Sequence, residues 1–83
     1  MSSNNGIFAI VLVNTIVGRE HEVASNIRRI LKALGIEGSV YVTYGLYDIV
    51  VCFNAKSLKD VDKVVTSIRA SNGVRESATL IAS

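Results

Sequence analysis

Residues 40–53, Val40-Tyr41-Val42-Thr43-Tyr44-Gly45-Leu46-Tyr47-Asp48-Ile49-Val50-Val51-Cys52-Phe53, decide the architecture. β-Branched and aromatic residues fill both ends of this stretch and a single glycine interrupts it, which is the pattern of strand, tight turn and strand. The chain therefore doubles back here with no helix between the strands. One strand is predicted over 39–44, with Val40, Val42 and Tyr44 on one face and Ser39, Tyr41 and Thr43 on the other. The turn is predicted at Gly45-Leu46 and the next strand over 47–54. The stretch holds all three tyrosines, and its one acid, Asp48, stands directly ahead of an apolar run. A buried, unpaired carboxylate is costly, so Asp48 marks this turn as a candidate small-ligand site.

Toward the N-terminus, Gly35 fits a helix C-terminal cap. The helix ahead of it is predicted over 19–34, with Val23, Ile27, Ile30, Leu31 and Leu34 on one face. Glu20 and Glu22 fall in its first turn and Arg28, Arg29 and Lys32 come late, the order the helix dipole favours. Gly18 separates this helix from Ile7-Phe8-Ala9-Ile10-Val11-Leu12-Val13, a short apolar run without a 3.6-residue period, hence a strand. Residues 1–6 form a polar lead, and residues 7–83 the domain.

Toward the C-terminus, Ser57 suits a helix N-cap with Asp60 three residues on. Leu58, Val61, Val64, Val65 and Ile68 make the apolar face of this second helix. Gly73 follows it, and a fourth strand is predicted over 75–82. A shift of 38 residues lays Val23 on Val61, Ile27 on Val65, Ile30 on Ile68, Gly35-Ile36 on Gly73-Val74 and Ser39 on Ser77. Two such halves give β-α-β-β-α-β, the ferredoxin-like α+β class: a four-stranded antiparallel sheet with two helices on one face. Right-handed crossovers place strands one and three in the centre.

Those two strands are apolar on both faces. Ile7, Ala9, Val11 and Val13 oppose Phe8, Ile10 and Leu12 in the first, and Val50 and Cys52 oppose Ile49, Val51 and Phe53 in the third. Two helices cover one face only, and the other would leave a broad apolar patch in water. Burying about six such side chains is worth on the order of 10 kcal/mol before the cost of association. A homodimer pairing sheet on sheet, a dimeric α+β barrel, is the expected arrangement.

Composition narrows the chemistry. The chain has 83 residues, 49% hydrophobic and 19% charged, with nine basic and seven acidic side chains for a net charge of +2. That is one small domain, too balanced in charge to imply a polyanionic partner by itself. The lone cysteine, Cys52, sits in an apolar strand and cannot form an internal disulfide. No signal peptide or membrane-length apolar run is evident, so a cytoplasmic protein that does not span a membrane is expected. One histidine, His21, and one cysteine make no metal-ligand spacing, no nucleotide-binding glycine loop is present, and no cofactor is expected. Nucleic-acid-binding sheets of this topology use stacking aromatics in a basic setting. Only Phe8 and Phe53 are on offer here, in runs too apolar for that, so no direct nucleic-acid contact is expected.

The turn remains. Asp48 lies beside the tyrosines and the backbone amides of Gly45 and Leu46, and strand four should bring Ser77, Thr79 and Ile81 alongside on one face. Amides and hydroxyls can take a carboxylate and Asp48 an ammonium, which suits a small zwitterion. Equally, Asp48 could serve only to stabilise the turn or an inter-subunit hydrogen bond. The residues alone leave both readings open.

The strand-one run, Gly18 with its acidic helix start, the stretch from Val40 to Val50, Asn72-Gly73-Val74 and Thr79-Leu80-Ile81 together resemble the effector-binding domain of Lrp/AsnC regulators. That domain is named RAM, for regulation of amino-acid metabolism. The resemblance runs from Ile7 to Ser83, and its most specific part is the G-x-Y-D turn with the G-V…T strand behind it. It implies dimers with facing sheets, assembling into rings, an octamer or decamer, with amino-acid effectors bound between dimers. Carried over by position, the effector-binding residues are Gly45, Tyr47 and Asp48 from the turn, and Ser77 and Thr79 from strand four. Ser77 stands where the family often has threonine and keeps the hydroxyl. Full regulators carry an N-terminal helix-turn-helix domain, whereas only Met1 to Gly6 precede strand one here. The resemblance is thus to a stand-alone effector domain that does not bind an operator itself and acts through a full-length regulator. The expected function is a non-enzymatic amino-acid sensor. The alternatives are a small cofactor-free enzyme of the dimeric ferredoxin-like barrel type, for which only His21 and Asp48 could serve as a base, and a purely structural assembly partner.

Overall fold

Six elements follow in chain order: β1 (Ile7–Thr15), α1 (Glu20–Ala33), β2 (Gly38–Val42), β3 (Ile49–Ala55), α2 (Leu58–Arg69) and β4 (Val74–Ala82). They are seen in a computed structural model that describes residues 6–82. All but the last residue of the polar lead predicted over 1–6 therefore lies outside the described residues. The sheet order is β2-β3-β1-β4, and every neighbouring pair is antiparallel. This is the ferredoxin-like topology expected from the sequence, with the two doubly apolar strands in the middle.

Alternation along the central strands sorts their side chains. Ala9, Val11, Val13, Ile49, Val51 and Phe53 are fully or almost fully buried and meet Val23, Ile27 and Leu31 of α1 and Val61, Val64 and Ile68 of α2 in one core. The intervening residues Ile10, Leu12, Val50 and Cys52 are only half-buried, and Phe8 is exposed. Both helices thus lie on one face, and the opposite face has no cover among the described residues.

The helix ends follow from local chemistry. Gly35, at φ 69°, closes α1: its amide donates to the Lys32 carbonyl at 3.1 Å, and the Ile36 amide donates to Leu31 at 2.9 Å. That pair of bonds is a Schellman cap, and the left-handed residue it needs favours glycine. At the start of α2, the Ser57 hydroxyl accepts from the Asp60 amide at 3.3 Å.

The structure corrects the sequence reading at the β2–β3 connection and on the helix faces, where Leu34 at the end of α1 is 39% exposed. The β2–β3 connection is six residues, 43–48, rather than the two-residue turn expected at Gly45-Leu46. Just past β2, the Thr43 amide donates to the Asp48 carbonyl at 2.8 Å and its hydroxyl to the Tyr47 carbonyl at 2.7 Å. Those bonds clip the loop at its base, so Tyr44 leaves the strand face assigned to it and is 99% exposed. The second correction also concerns Leu58. Its spacing puts it on the apolar face of α2, yet it is 62% exposed, because it overhangs the outer strand β4 beside Ile81.

Candidate functional site

The end of β1, the 43–48 loop and the start of β4 meet at one end of the sheet. Asp48 stands just before β3, and its amide donates to the Val13 carbonyl at 3.0 Å. Its carboxylate turns to the end of β1, where Oδ2 accepts from the Thr15 amide at 2.8 Å and from the Thr15 hydroxyl at 3.3 Å. Thr15 is the one buried polar residue among those described, so Asp48 supplies the partner its amide and hydroxyl need. The acid that looks misplaced in sequence is thus partly satisfied by a residue 33 positions away. Its second oxygen, Oδ1, accepts no hydrogen bond within the described residues.

The β1–β4 ladder breaks at this point. Asn14 pairs with Glu76 and Thr15 with Val74, so Arg75 is an extra residue without an opposite number. A bulge of this kind takes a side chain out of the strand's alternation and re-aims it. Arg75 accordingly lines an open hollow of about 400 Å³ together with Asp48, Glu20, Thr15, Val17 and Leu46. Among the described residues the one ion pair is Arg19–Glu22, so Arg75 and the two carboxylates share this hollow without pairing. Val17 and Leu46, 92% and 88% exposed, give it an apolar rim.

The five residues singled out from sequence are distributed over this end and beyond it. Asp48 lines the hollow just described. Tyr47 and Ser77 line a second one of about 260 Å³, with Asn14 and Leu46 common to both. Ser77 and Thr79 lie opposite Val13 and Val11, both fully buried, and so share the helix-side face of β4. Thr79 lines a third, separate hollow against α2, with Leu58, Val61, Val65 and Ile81. Gly45 lines none of these hollows; it has φ 133°, and a side chain built on it would meet nothing within 4 Å. The amides of Gly45 and Leu46 make no hydrogen bond within the described residues. Sequence reasoning missed Arg75 and Glu20. The helix dipole alone accounts for Glu20 in the sequence, and Arg75 needs the bulge to be seen.

His21 is exposed on the first turn of α1, and none of these hollows includes it. Among the described residues no helix is long and apolar enough to cross a membrane.

No protein-family model and no curated protein matches the chain. Solved structures do. FFRP-DM1 is 31% identical, with 92% of this chain and 97% of that chain covered and a TM-score of 0.78. The hypothetical protein PHS023 from Pyrococcus horikoshii is also 31% identical, with 92% and 88% covered and a TM-score of 0.78. TTHA0845 from Thermus thermophilus is 30% identical, with 92% and 91% covered and a TM-score of 0.81.

Proposed function

The chain belongs to the Lrp/AsnC regulator family, as a regulatory domain of the effector-binding RAM type, and from that premise we propose that it binds a free amino acid at the turn end of the sheet. The observation that carries this reading is the hollow in which Arg75 faces Asp48 and Glu20 unpaired. A zwitterion brings one group for each sign: its carboxylate to the Arg75 guanidinium and the idle amide of Leu46, its ammonium to Asp48 Oδ1 and Glu20. The exposed Val17 and Leu46 give an apolar side chain something to rest on.

The hollow is open on one subunit, so a neighbouring subunit closes it. The helix-free face of Phe8, Ile10, Leu12, Val50 and Leu80 pairs with a second copy across a two-fold axis, and dimers join into a ring through their turn ends. Effector bound between dimers shifts that assembly by its differential affinity for the joined state. The module then acts on transcription of amino-acid metabolism at one remove, through mixed assembly with a full-length regulator, without catalysis and without touching DNA.

A thermal-shift screen with the twenty amino acids, followed by light scattering with each hit, tests the proposal. A stabilising amino acid that also changes particle size is expected. Asp48→Asn keeps an acceptor for Thr15 and removes the charge, and with Arg75→Gln it should abolish the shift while the dimer persists. No response to any amino acid, or unchanged affinity in both variants, refutes the site.

A further inference from the structure

At the opposite end of the strands lies a hollow of about 590 Å³, and we infer that it binds a small monocarboxylate with an apolar body. It sits where the C-terminal half of α1 overhangs the beginning of β2 and the end of β3. Leu31, Ile36 and Phe53 supply apolar lining, and Phe8 stands at the open-face rim. Arg28 and Lys32, four residues apart and so one helix turn above one another, stand over it. Ser39 and Asn54 add neutral hydrogen-bonding groups.

Three features distinguish this place from an ordinary solvated helix face. First, Arg28 is held: its Nη2 donates to the Val40 carbonyl at 3.1 Å, which fixes the guanidinium beside the β2 edge. Second, neither Arg28 nor Lys32 has an acidic partner among the described residues, so two like charges one turn apart stand uncompensated. Third, Gly38 lets β2 pack close against β3 at the floor of the hollow: a Cβ built on it would lie 2.6 Å from the Cys52 carbonyl oxygen and 2.7 Å from the Phe53 Cβ. Any other residue at 38 would collide with the backbone of β3, so this position stays without a side chain.

Two cations against the single acid Glu37 favour a ligand with net charge −1 over a zwitterion. The carboxylate would bridge Arg28 and Lys32, and the hydrocarbon would lie toward Leu31, Ile36 and Phe53. Arg28 and Lys32 belong to the helix layer, so the sheet-to-sheet pairing proposed above leaves them accessible.

Titration of the full chain with 3-phenylpropanoate, followed by amide chemical shifts and calorimetry, tests the inference. Saturable shifts confined to residues 28–39 and 52–54 are expected. Lys32→Gln and Arg28→Gln should each weaken binding about tenfold, the scale of one charge-assisted contact. Lys32→Gln touches no bond of the fold, so it remains informative if Arg28→Gln disturbs β2. Asp48→Asn should leave this affinity unchanged. Equal binding of uncharged 3-phenylpropanol or of phenylalanine, shifts centred on the turn, or indifference to Lys32→Gln overturns the inference.

Discussion

The two faces of this sheet are written in the same alternation of apolar residues, yet they reach different states. Val11, Val51 and Phe53 disappear beneath α1 and α2, while their strand neighbours Ile10, Val50 and Cys52 stay half-buried. Phe8, Tyr41 and Leu80 extend that second face into solvent, and none of the described residues covers it. Covered and uncovered faces therefore differ in what completes them. The first is finished by the chain's own helices, and the second is the face that the proposed function pairs with a second copy.

That contrast can be broken most forcefully at Phe53 and its open-face counterpart Phe8. Phe53→Ala removes a side chain only 1% exposed and should cost about 3–5 kcal/mol of unfolding free energy in denaturant titration. Phe8→Ala, at 38% exposure, should leave unfolding cooperative and show itself instead as a weaker, more concentration-dependent assembly. Equal losses from both would erase the distinction between the faces.

The next largest effect falls where the two faces end. Asp48→Ala strands the buried amide of Thr15 and should cost about 1–3 kcal/mol, read as a lower denaturation midpoint. Asp48→Asn should recover most of that stability while still failing to bind an amino acid, which separates the residue's structural role from its ligand role. At the cap of α2, Ser57→Ala should cost about 1 kcal/mol on the covered side and leave assembly untouched.

The smallest effect belongs to the surface. Arg19 donates to Glu22 at 2.7 and 3.1 Å, and this hydrogen-bonded contact lowers the Glu22 pKa from its ordinary value. A carboxylate held lower in the folded chain stabilises it above the unfolded pKa and loses that contribution as pH falls through the folded one. Glu22→Gln should therefore lower the melting temperature slightly at neutral pH and low salt. The difference should vanish in acid, where Glu22 is protonated, and at high salt, because the pair lies at the surface.

Much of this was legible in the residues. The periods of the two helices, the doubly apolar central strands and Gly35 at a left-handed cap were enough to order the elements and place two strands in the middle. The end of β2 was not, because the aromatic run to Tyr44 carries strand propensity, whereas the Thr43 hydroxyl bonds the Tyr47 carbonyl and closes the loop below Tyr44. At the site, Asp48 stood out as an acid at the mouth of an apolar strand. Its partner Thr15 did not, since the contact spans 33 residues and depends on the β1–β3 register. Arg75 was hidden for a different reason. A strict alternation gives every residue of β4 a partner on β1, and only the shift between Asn14 and Thr15 frees Arg75 to join the hollow.

Sedimentation of the purified chain at micromolar concentration tests the contrast between the faces most directly. The account predicts a dimer or a multiple of it, dissociating to a folded monomer when Leu80 on the open face is replaced by lysine. A wild-type chain that sediments as a stable monomer would contradict it, because the uncovered face would then have no molecule to complete it.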